Sequence, residues 1–510
     1  MAGRSSGSDC HLFTAKGIPM NDMIKPGIDR RVPAGRLVIG ERDLTAGSGG
    51  VFAHINPATG EHQADVPLAG KTEVEQAVAS AKQAFGVWRR MPAVERREKL
   101  ARLASLIESR SDEFIRLAAL EGGTPVTVGA GGPRLAVEWT NYYAGWADKI
   151  DGQVVSMPPA DEFVYTLPEP YGVIGIIVTW NGPLISLGMK VAPALAAGNT
   201  VVIKPAEQTP FVACLFADLA REAGIPPGVV NVVPGAAEAA EALIAHPDVE
   251  KITFTGGPAT ARKILHQCAD LLKPAVLELG GKSANIVFSD ADIQAVAQFA
   301  AFWSVGLLSG QGCELPTRLL IDDSIYDRTV EAVAAVASHL PVGDPFDPAT
   351  IVGPLINQAA CERVLGMIGR ARDSGAGRVI TGGERLGGHL AAGCYVAPTV
   401  IADVDPRSEI ARNEVFGPVL VIHRFRTEEE AIAIANSTDY GLGGYVQTND
   451  LKRAQRVATA LRTGYVHING SRNIPAWAPF GGVGLSGYGK EGGRPGLDEF
   501  IRLKTVSMPA

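Results

Sequence analysis

The sequence lacks the features that mark several large classes of protein. Its 510 residues carry a formal net charge of −7 with both signs interspersed, so no basic surface for nucleic acid or anionic membranes is indicated. The densest apolar run, residues 173–180, is far shorter than the about 20 residues that cross a bilayer. No long apolar segment with a small-residue cleavage site stands near position 1. We therefore expect a cytoplasmic protein that acts on a small molecule, without a nucleic-acid or membrane partner.

Cysteine is scarce, and its spacing does not indicate a metal. The cysteines, at positions 10, 214, 268, 313, 361 and 394, lack the close pairing of a zinc site or a disulfide framework. We expect no bound metal and a reducing environment. The remaining composition, 46% hydrophobic and 20% charged, is that of a globular protein, and the length allows about two or three cores.

Short aliphatic runs alternate with helical stretches from Gly172 onward. The first series contains residues 173–178, 200–204, 229–233, 251–255 and 275–279. A second series follows Cys313, with residues 317–321, 395–401, 418–423 and 443–448. This repetition predicts an α/β fold with doubly wound parallel sheets. The proline-interrupted segment 152–170 lies outside the rhythm and predicts a β-hairpin for subunit contacts.

Two glycine motifs are rejected as phosphate-binding sites. Gly482, Gly484 and Gly487 satisfy G-x-G-x-x-G, but no clear strand precedes them, and the glycines and proline that follow oppose a helix. GGKS at 280–283 resembles the end of a P-loop, yet Val276 stands where the first glycine is required.

Cys313 lies in a small, polar, glycine-flanked loop just before a predicted strand. A cysteine thiolate is intrinsically reactive toward carbonyl groups, and its pKa is the closest to neutral among the usual nucleophiles. The loop alone leaves two alternatives open, a reactive thiol or a buried structural cysteine. The structural alternative suits Cys214 and Cys268, which fall on predicted helix faces.

A series of spaced motifs resembles the aldehyde dehydrogenase superfamily over nearly the whole chain. The motifs are TWNGPL (179–184), KPAEQTP (204–210), FTGG (254–257), LELGGKS (277–283), SGQGC (309–313), NEVFGPVL (413–420) and PFGGVGLSGYGKE (479–491). The resemblance implies two Rossmann-like domains, cofactor-binding and catalytic, with a small β oligomerisation element.

The resemblance also divides the chain and implies a homodimer or homotetramer. The predicted parts are an N-terminal extension (1–34), an NAD-binding domain (35–150 and 171–279), a catalytic domain (280–485) and an oligomerisation element (151–170 and 486–510).

The same resemblance implies catalytic roles. Cys313 would form a thiohemiacetal whose oxyanion is held by the Asn181 amide and the Cys313 backbone N–H. Glu278 matches the general base that activates water against the resulting thioester, a role that burial would assist by raising its pKa. Lys190 and Glu491 resemble residues that support proton exit from that base.

The family pattern assigns NAD to one set of residues. They are Trp180, Lys204, Glu207, Gly256, Gly257, Leu279, Glu414 and Phe416. Glu207 would accept bonds from a free ribose diol and repel a 2′-phosphate, so NAD is expected over NADP. The helix start after Gly257 is expected near the pyrophosphate.

Departures from the family pattern concern the substrate. Gly182 stands where an aromatic residue is frequent, which opens volume and predicts a bulky apolar or aromatic aldehyde. The candidate pocket residues are Gly182, Ser186, Met189, Ile474 and Phe480, with Trp477 as a further wall. Glu314, directly after the nucleophile, either tunes Cys313 or faces solvent.

Two alternatives to this function remain open. Glu278 favours hydrolysis to the free acid over acyl transfer to coenzyme A, because the acylating relatives generally lack a carboxylate there. A semialdehyde dehydrogenase would need a cation for the distal carboxylate, for which Arg472 is a candidate. The other alternative is an inactive NAD-binding or structural relative that kept the fold.

Overall fold

The computed structural model describes residues 29–470 and 474–509, so Arg472 and most of the N-terminal extension lie outside the described residues. The strands are β1 (Leu37–Ile39), β2 (Arg42–Leu44), β3 (Val51–Ile55), β4 (His62–Pro67), β5 (Val154–Ser156), β6 (Glu162–Pro170), β7 (Val173–Ile177), β8 (Thr200–Lys204), β9 (Val230–Val232), β10 (Val249–Gly256), β11 (Ala275–Leu279), β12 (Ala284–Val287), β13 (Arg318–Asp322), β14 (Arg378–Thr381), β15 (Thr399–Ala402), β16 (Val419–Phe425), β17 (Tyr440–Gly441), β18 (Gly443–Gln447), β19 (Tyr465–Ile468), β20 (Val483–Gly484), β21 (Gly487–Tyr488) and β22 (Ile501–Pro509).

The α-helices are α1 (Lys71–Trp88), α2 (Ala93–Ser109), α3 (Ser111–Gly122), α4 (Val126–Gly129), α5 (Gly131–Ala144), α6 (Pro183–Ala196), α7 (Phe211–Glu222), α8 (Ala237–Ala245), α9 (Pro258–Asp270), α10 (Ile293–Ala301), α11 (Tyr326–Ser338), α12 (Gln358–Asp373), α13 (Glu409–Arg412), α14 (Glu428–Ala435), α15 (Leu451–Ala460) and α16 (Gly493–Asp498). A π-helical turn (Phe302–Gly306) and a 3₁₀ turn (Leu307–Gly310) follow α10.

The first large sheet has the order β2-β1-β9-β8-β7-β10-β11-β21. Its five central strands, β9 to β11 in that order, are parallel, and the strands at both edges are antiparallel. Successive residues of β7 enter different cores. Ile174 and Ile176 pack with helices α2, α5, α6 and α7, whereas Val173 and Ile177 pack with α1, α8 and α9. Helices therefore cover both faces, which confirms the doubly wound α/β prediction.

The second large sheet has the order β14-β15-β16-β13-β12-β18-β19, and all its pairs except β14–β15 are parallel. Leu319 and Ile321 of β13 face α10 and α11, and Leu320 between them faces α14 and α15. The predicted strand 395–401 is wrong in its bounds, because β15 begins at Thr399. Pro398 precedes it and has no N–H to donate to a ladder.

A smaller sheet has the order β22-β6-β5, with the predicted hairpin as two of its strands. β22 pairs with β6 from Ile501↔Pro170 to Pro509↔Glu162. Within the predicted 486–510 segment, β21 instead pairs with β11 of the first large sheet. The division into domains stays a prediction.

A short helix follows the G-x-G-x-x-G motif, where the sequence was expected to oppose one. α16 has 6 residues, Gly493–Asp498. Pro495 lies in its first turn, where a missing N–H breaks no helical hydrogen bond. The expectation against a helix is therefore wrong, although the element is short.

One apolar stretch of the described residues, Ile293–Gly310, is long and apolar enough to cross a membrane by length and composition. Half of that stretch is buried inside the protein. It consists of α10 and the two turns after it, and α10 packs in the core of the second sheet.

Candidate active site

Cys313 follows a backbone segment with unusual dihedral angles. Leu308 and Ser309 have φ of 50° and 55°, a region that side chains other than glycine seldom adopt. The Ser309 hydroxyl donates to the Gly353 carbonyl at 2.9 Å, which fixes the turn. Backbone strain of this kind concentrates at functional sites.

The thiol of Cys313 is half-buried, unlike the other cysteines that the structure describes. Cys214, Cys268, Cys361 and Cys394 are all buried, and each is free of a disulfide. Cys214 and Cys268 lie on the inner faces of α7 and α9. These four thiols therefore fit the structural alternative, and among the described residues Cys313 is the cysteine open to a reactant.

The Cys313 loop lies directly against the end of β11. A Cβ on Gly281 would lie 2.2 Å from the Cys313 carbonyl oxygen, a distance that no side chain can occupy. Glycine at this position therefore permits the close approach between the two chain segments. Because Glu278 is in β11, this contact places the predicted base and the predicted nucleophile on adjoining segments.

Asn181 is oriented toward the same loop. It follows β7, and its Nδ2 donates to the Gln311 carbonyl at 2.8 Å. Gln311 is itself fixed, because its Oε1 accepts from the Ile356 N–H at 3.0 Å. The second N–H of the Asn181 amide has no partner within the described residues, so it can donate to an oxygen bound beside Cys313.

Glu278 is a buried carboxylate without a hydrogen bond. Its side chain is 3% exposed, and neither carboxylate oxygen has a partner in the part of the chain that is described. Burial, followed by the charge of Glu491, raises the pKa of Glu278 well above its ordinary value. A raised pKa makes the carboxylate a stronger base, which suits a general base.

Lys190 and Glu491 form a buried ion pair next to Glu278. Both side chains are at most 6% exposed, and Lys190 also donates to the Thr253 hydroxyl at 3.1 Å. The negative charge of Glu491 raises the pKa of Glu278, and the positive charge of Lys190 lowers it. The two charges therefore act on the protonation of Glu278 in opposite directions, and the role of this pair in proton exit stays a prediction.

The predicted cofactor residues Trp180, Lys204, Glu207, Gly256, Gly257 and Leu279 lie at or just after the carboxyl ends of β7, β8, β10 and β11. Ligands of open parallel sheets bind at this edge. Lys204 donates to the Gly235 carbonyl at 2.6 Å and lies 3.8 Å from Glu207, and burial lowers the pKa of Lys204. The Leu279 N–H donates to the Ser486 carbonyl at 3.1 Å, so it is not free for a ligand.

The first turn of α9 fits an anionic group. Gly257 is the residue before the helix, and no side chain caps the N–H groups of the first turn. A Cβ on Gly257 would meet no heavy atom within 4 Å, so the approach to those N–H groups is open. Uncapped N–H groups and the helix dipole attract phosphate.

Glu414 and Phe416 come from the second half of the chain and meet the first half here. Glu414 Oε1 accepts from the Gly281 N–H at 2.9 Å, and burial raises the pKa of Glu414 to about 7. Phe416 has φ of 51°, and its ring packs edge-on against Trp180 with centroids 5.4 Å apart. Both residues therefore lie where a ligand would bridge the two sheets.

The predicted pocket residues differ in how far they are buried. A Cβ on Gly182, at the start of α6, would enter open space, and Ser186 and Met189 are buried on the same helix. Phe480 is 4% exposed and joins the core that Cys313 and Ile474 contact. Trp477 is 64% exposed, and its place as a pocket wall stays a prediction.

Two side chains that contact the site were assigned no role from the sequence. Gln311 orients Asn181, and it was visible only as part of the SGQGC motif. The Tyr465 hydroxyl donates to Glu314 Oε2 at 3.0 Å, so Glu314 does not simply face solvent. No local signal links Tyr465 to Glu314, since 150 residues separate them in the sequence and β19 brings them together.

Comparison with known proteins gives matches along nearly the whole chain. The model of the aldehyde dehydrogenase family matches residues 44–506. The chain is 42% identical over 454 residues to the mitochondrial succinate-semialdehyde dehydrogenase of Arabidopsis thaliana, which covers 89% of this chain and 85% of that protein. It is 42% identical over 472 residues to retinal dehydrogenase 2 of Mus musculus, with coverage of 90% and 89%.

A solved structure is similar over the same extent. It is a mutant of the P. syringae indole-3-acetaldehyde dehydrogenase AldA in complex with NAD⁺ and IAA. The TM-score is 0.90 at 36% identity, and the alignment covers 94% of this chain and 97% of the other.

Proposed function

Because the chain belongs to the aldehyde dehydrogenase family, we propose that it oxidises an aldehyde to the carboxylic acid with NAD. The observation that carries the mechanism is Glu278, a buried carboxylate without a hydrogen bond, on the strand that adjoins the Cys313 loop. Burying a carboxylate without a hydrogen-bond partner lowers the stability of the fold, and its use as a base accounts for its presence there.

Acylation begins at the half-buried thiol. The Cys313 thiol gives its proton to solvent and its Sγ adds to the aldehyde carbon, which gives the anion of a thiohemiacetal. Negative charge develops on the former carbonyl oxygen, and the free N–H of Asn181 and the backbone N–H of Cys313 are the donors for it. NAD, when bound, supplies the oxidant that takes hydride from the thiohemiacetal carbon, which leaves a thioester on Cys313.

Deacylation uses the base. Glu278 takes a proton from water, the water oxygen adds to the thioester carbon, and the carbon–sulfur bond breaks, which releases the acid and leaves a Cys313 thiolate that takes a proton back from solvent. The proton held by Glu278 then leaves toward the Lys190–Glu491 pair, whose charges act on Glu278. The overall balance is aldehyde, NAD⁺ and water to acid, NADH and a proton.

We further propose that NAD is used in preference to NADP. Glu207 follows β8 and lies 3.8 Å from the buried Lys204. Its carboxylate can accept two hydrogen bonds from a ribose diol, whereas a 2′-phosphate would place two negative groups side by side. The uncapped first turn of α9 would hold the pyrophosphate.

The proposed substrate is a bulky apolar or aromatic aldehyde. The open space beside Gly182 supports this proposal, since an aromatic side chain there would fill it. Relatives named for retinal and for indole-3-acetaldehyde are consistent with it. The alternative is a semialdehyde, which the Arabidopsis relative is named for.

The decisive experiment measures NADH formation from a panel of aldehydes. Wild-type protein should oxidise benzaldehyde or a long-chain aldehyde with higher kcat/KM than acetaldehyde, and Cys313→Ala should be inactive. Cys214→Ala is the matched control, because Cys214 is buried and away from the loop. No NADH from any aldehyde would favour an inactive relative, and a preference for succinic semialdehyde would favour the alternative substrate.

We also propose a cytoplasmic homo-oligomer, a dimer or a tetramer. The sheet of β22, β6 and β5 supports assembly, because apolar side chains on it are exposed, including Val154 at 60%, Val155 at 62% and Leu503 at 66%. Exposed apolar patches mark association surfaces. Sedimentation of the purified protein distinguishes the two orders from a monomer.

A further inference from the structure

A polar cluster beside the nucleophile has no part in the chemistry above. The hydroxyl of Tyr465 donates to Glu314 Oε2 at 3.0 Å, and that of Tyr445 donates to the Glu314 carbonyl at 3.2 Å. The two hydroxyl oxygens are 3.4 Å apart. Tyr465 of β19 therefore orients the Glu314 side chain, and Tyr445 of β18 holds its backbone carbonyl.

The position of Tyr465 depends on a specific feature of the neighbouring strand. A Cβ on Gly443 would lie 2.5 Å from the hydroxyl oxygen of Tyr465, so any other residue would collide with it. The ring of Tyr465 also packs against Phe480, with centroids 5.5 Å apart. Phe480 is one of the predicted pocket residues, so through this ring contact the cluster adjoins the proposed substrate pocket.

Glu314 keeps one acceptor free. Its Oε2 is bound by Tyr465, and no hydrogen bond is made by Oε1 within the described residues. The side chain is half-buried, so Oε1 is not sealed inside the protein. Burial raises the pKa of this carboxyl to about 7.

Glu314 also opposes catalysis. Its charge raises the pKa of Cys313, which disfavours the reactive thiolate. A fixed carboxyl that hinders the nucleophile and takes no part in the reaction is better explained by recognition of the substrate.

Resting on the proposed function, we infer that Glu314, held by Tyr465, accepts a hydrogen bond from the aldehyde, and that the substrate is an aromatic or bulky aldehyde bearing a hydroxyl or similar donor. A distal carboxylate would meet a negative or competing acceptor here, so the cluster selects against semialdehydes.

The test compares matched pairs of aldehydes at mildly alkaline pH, above the pKa of about 7 of Glu314, where its carboxylate is charged. 3-Hydroxybenzaldehyde is paired with 3-methylbenzaldehyde, and 4-(hydroxymethyl)benzaldehyde with 4-ethylbenzaldehyde, so that each pair differs in the donor and little in shape. In wild type, kcat/KM for the donor-bearing member of one pair should be higher by about 10- to 100-fold, the range for a hydrogen bond to a charged group. 4-Carboxybenzaldehyde should be the poorest aromatic substrate.

Variants then assign the preference to the cluster. Glu314→Leu should bring the ratio within the pair close to unity, Glu314→Gln should leave an intermediate ratio, and Tyr465→Phe should lower it. The ratio is the readout because altered reactivity of Cys313 affects both members of a pair equally. Glu409→Gln, at an exposed ion pair with Arg370, is the control that should keep the wild-type ratio.

The outcomes separate this inference from the proposed function. Oxidation of all benzaldehydes without a donor preference, or a preference that persists in Glu314→Leu and Tyr465→Phe, overturns the inference and leaves the oxidation intact. Absence of NADH from every aldehyde overturns the proposed function and this inference with it.

Discussion

Replacing Glu278 with glutamine should separate the two halves of the proposed reaction. The substitution keeps the shape of a side chain that is 3% exposed and removes its ability to accept a proton from water. Acylation of Cys313 does not need this base, so the first turnover should still produce NADH. Hydrolysis of the thioester does need it, so the enzyme should stall in the acylated state.

The expected magnitude follows from the isolation of the carboxylate. Neither oxygen has a hydrogen-bond partner in the described part of the chain, so both can accept from a bound water, and glutamine removes the group that the proposed mechanism uses as the base. General-base catalysis contributes about 10²- to 10⁴-fold, and we expect steady-state kcat to fall by that factor. Stopped-flow absorbance should show a burst of about one NADH per active site before the slow phase, as in other covalent mechanisms.

Acidity gives an independent test of the same group. The pKa of Glu278 is raised, so wild-type deacylation should slow as pH falls through that raised value, well above the ordinary range of glutamate. A raised pKa also means that the folded state binds the proton more tightly than the unfolded chain. The associated stability is present at acidic pH and is lost as pH rises, by about 1.4 kcal/mol per unit of pKa difference.

Glu278→Gln should therefore stabilise the fold at alkaline pH more than at acidic pH, as measured by denaturant unfolding. Glu409→Gln, at an exposed position, is the matched control and should show neither the burst nor the pH-dependent gain. If the Glu278→Gln enzyme kept the wild-type kcat and showed no burst of NADH, the assignment of Glu278 as the base would be refuted.

Four further predictions concern the neighbouring groups. Asn181→Ala should lower kcat by about 10²- to 10³-fold while thermal unfolding changes little, because it removes a donor to the oxyanion. Lys190→Met should slow turnover. It should also lower the free energy of unfolding in urea by about 3 to 5 kcal/mol, because Glu491 is left buried and unpaired. Adding Glu491→Gln to the same chain should restore part of that stability. Glu207→Gln should raise kcat/KM with NADP relative to NAD, and an unchanged ratio would contradict the proposed preference. Alkylation of Cys313 by iodoacetamide should be slow at neutral pH, increase with pH and accelerate when NAD is present, as mass spectrometry can follow.

Much of the fold was predictable because its signals are local. The aliphatic runs at 173–178 and 200–204 became β7 and β8, and the parallel sheet followed from their alternation with helices. The run at 395–401 misled because apolar character continues through Pro398, whereas a strand also needs N–H donors. The short helix α16 was missed for the opposite reason, since glycine and proline are poor helix formers yet are tolerated in a single turn.

The site divides in the same way. Cys313, Glu278 and Asn181 stand in contiguous motifs, so the sequence could name them. The bond between Glu314 and Tyr465 could not be named, because it depends on how β19 lies beside the Cys313 loop and on space left by Gly443. Contacts between distant segments depend on strand register, and a single sequence does not encode register in a readable pattern.

The electrostatics of the site explain why a nucleophile is surrounded by acids. Burial, and then the charges of Glu314, Glu414 and Glu278, raise the pKa of Cys313 well above its ordinary value, which favours the thiol over the thiolate. A thiol resists oxidation and alkylation better than a thiolate does. A cation bound among these carboxylates offsets their charge and lowers the thiol pKa. The nicotinamide ring of NAD⁺ is cationic, and we expect that its binding near Glu414 would lower the thiol pKa, which the alkylation of Cys313 with and without NAD tests.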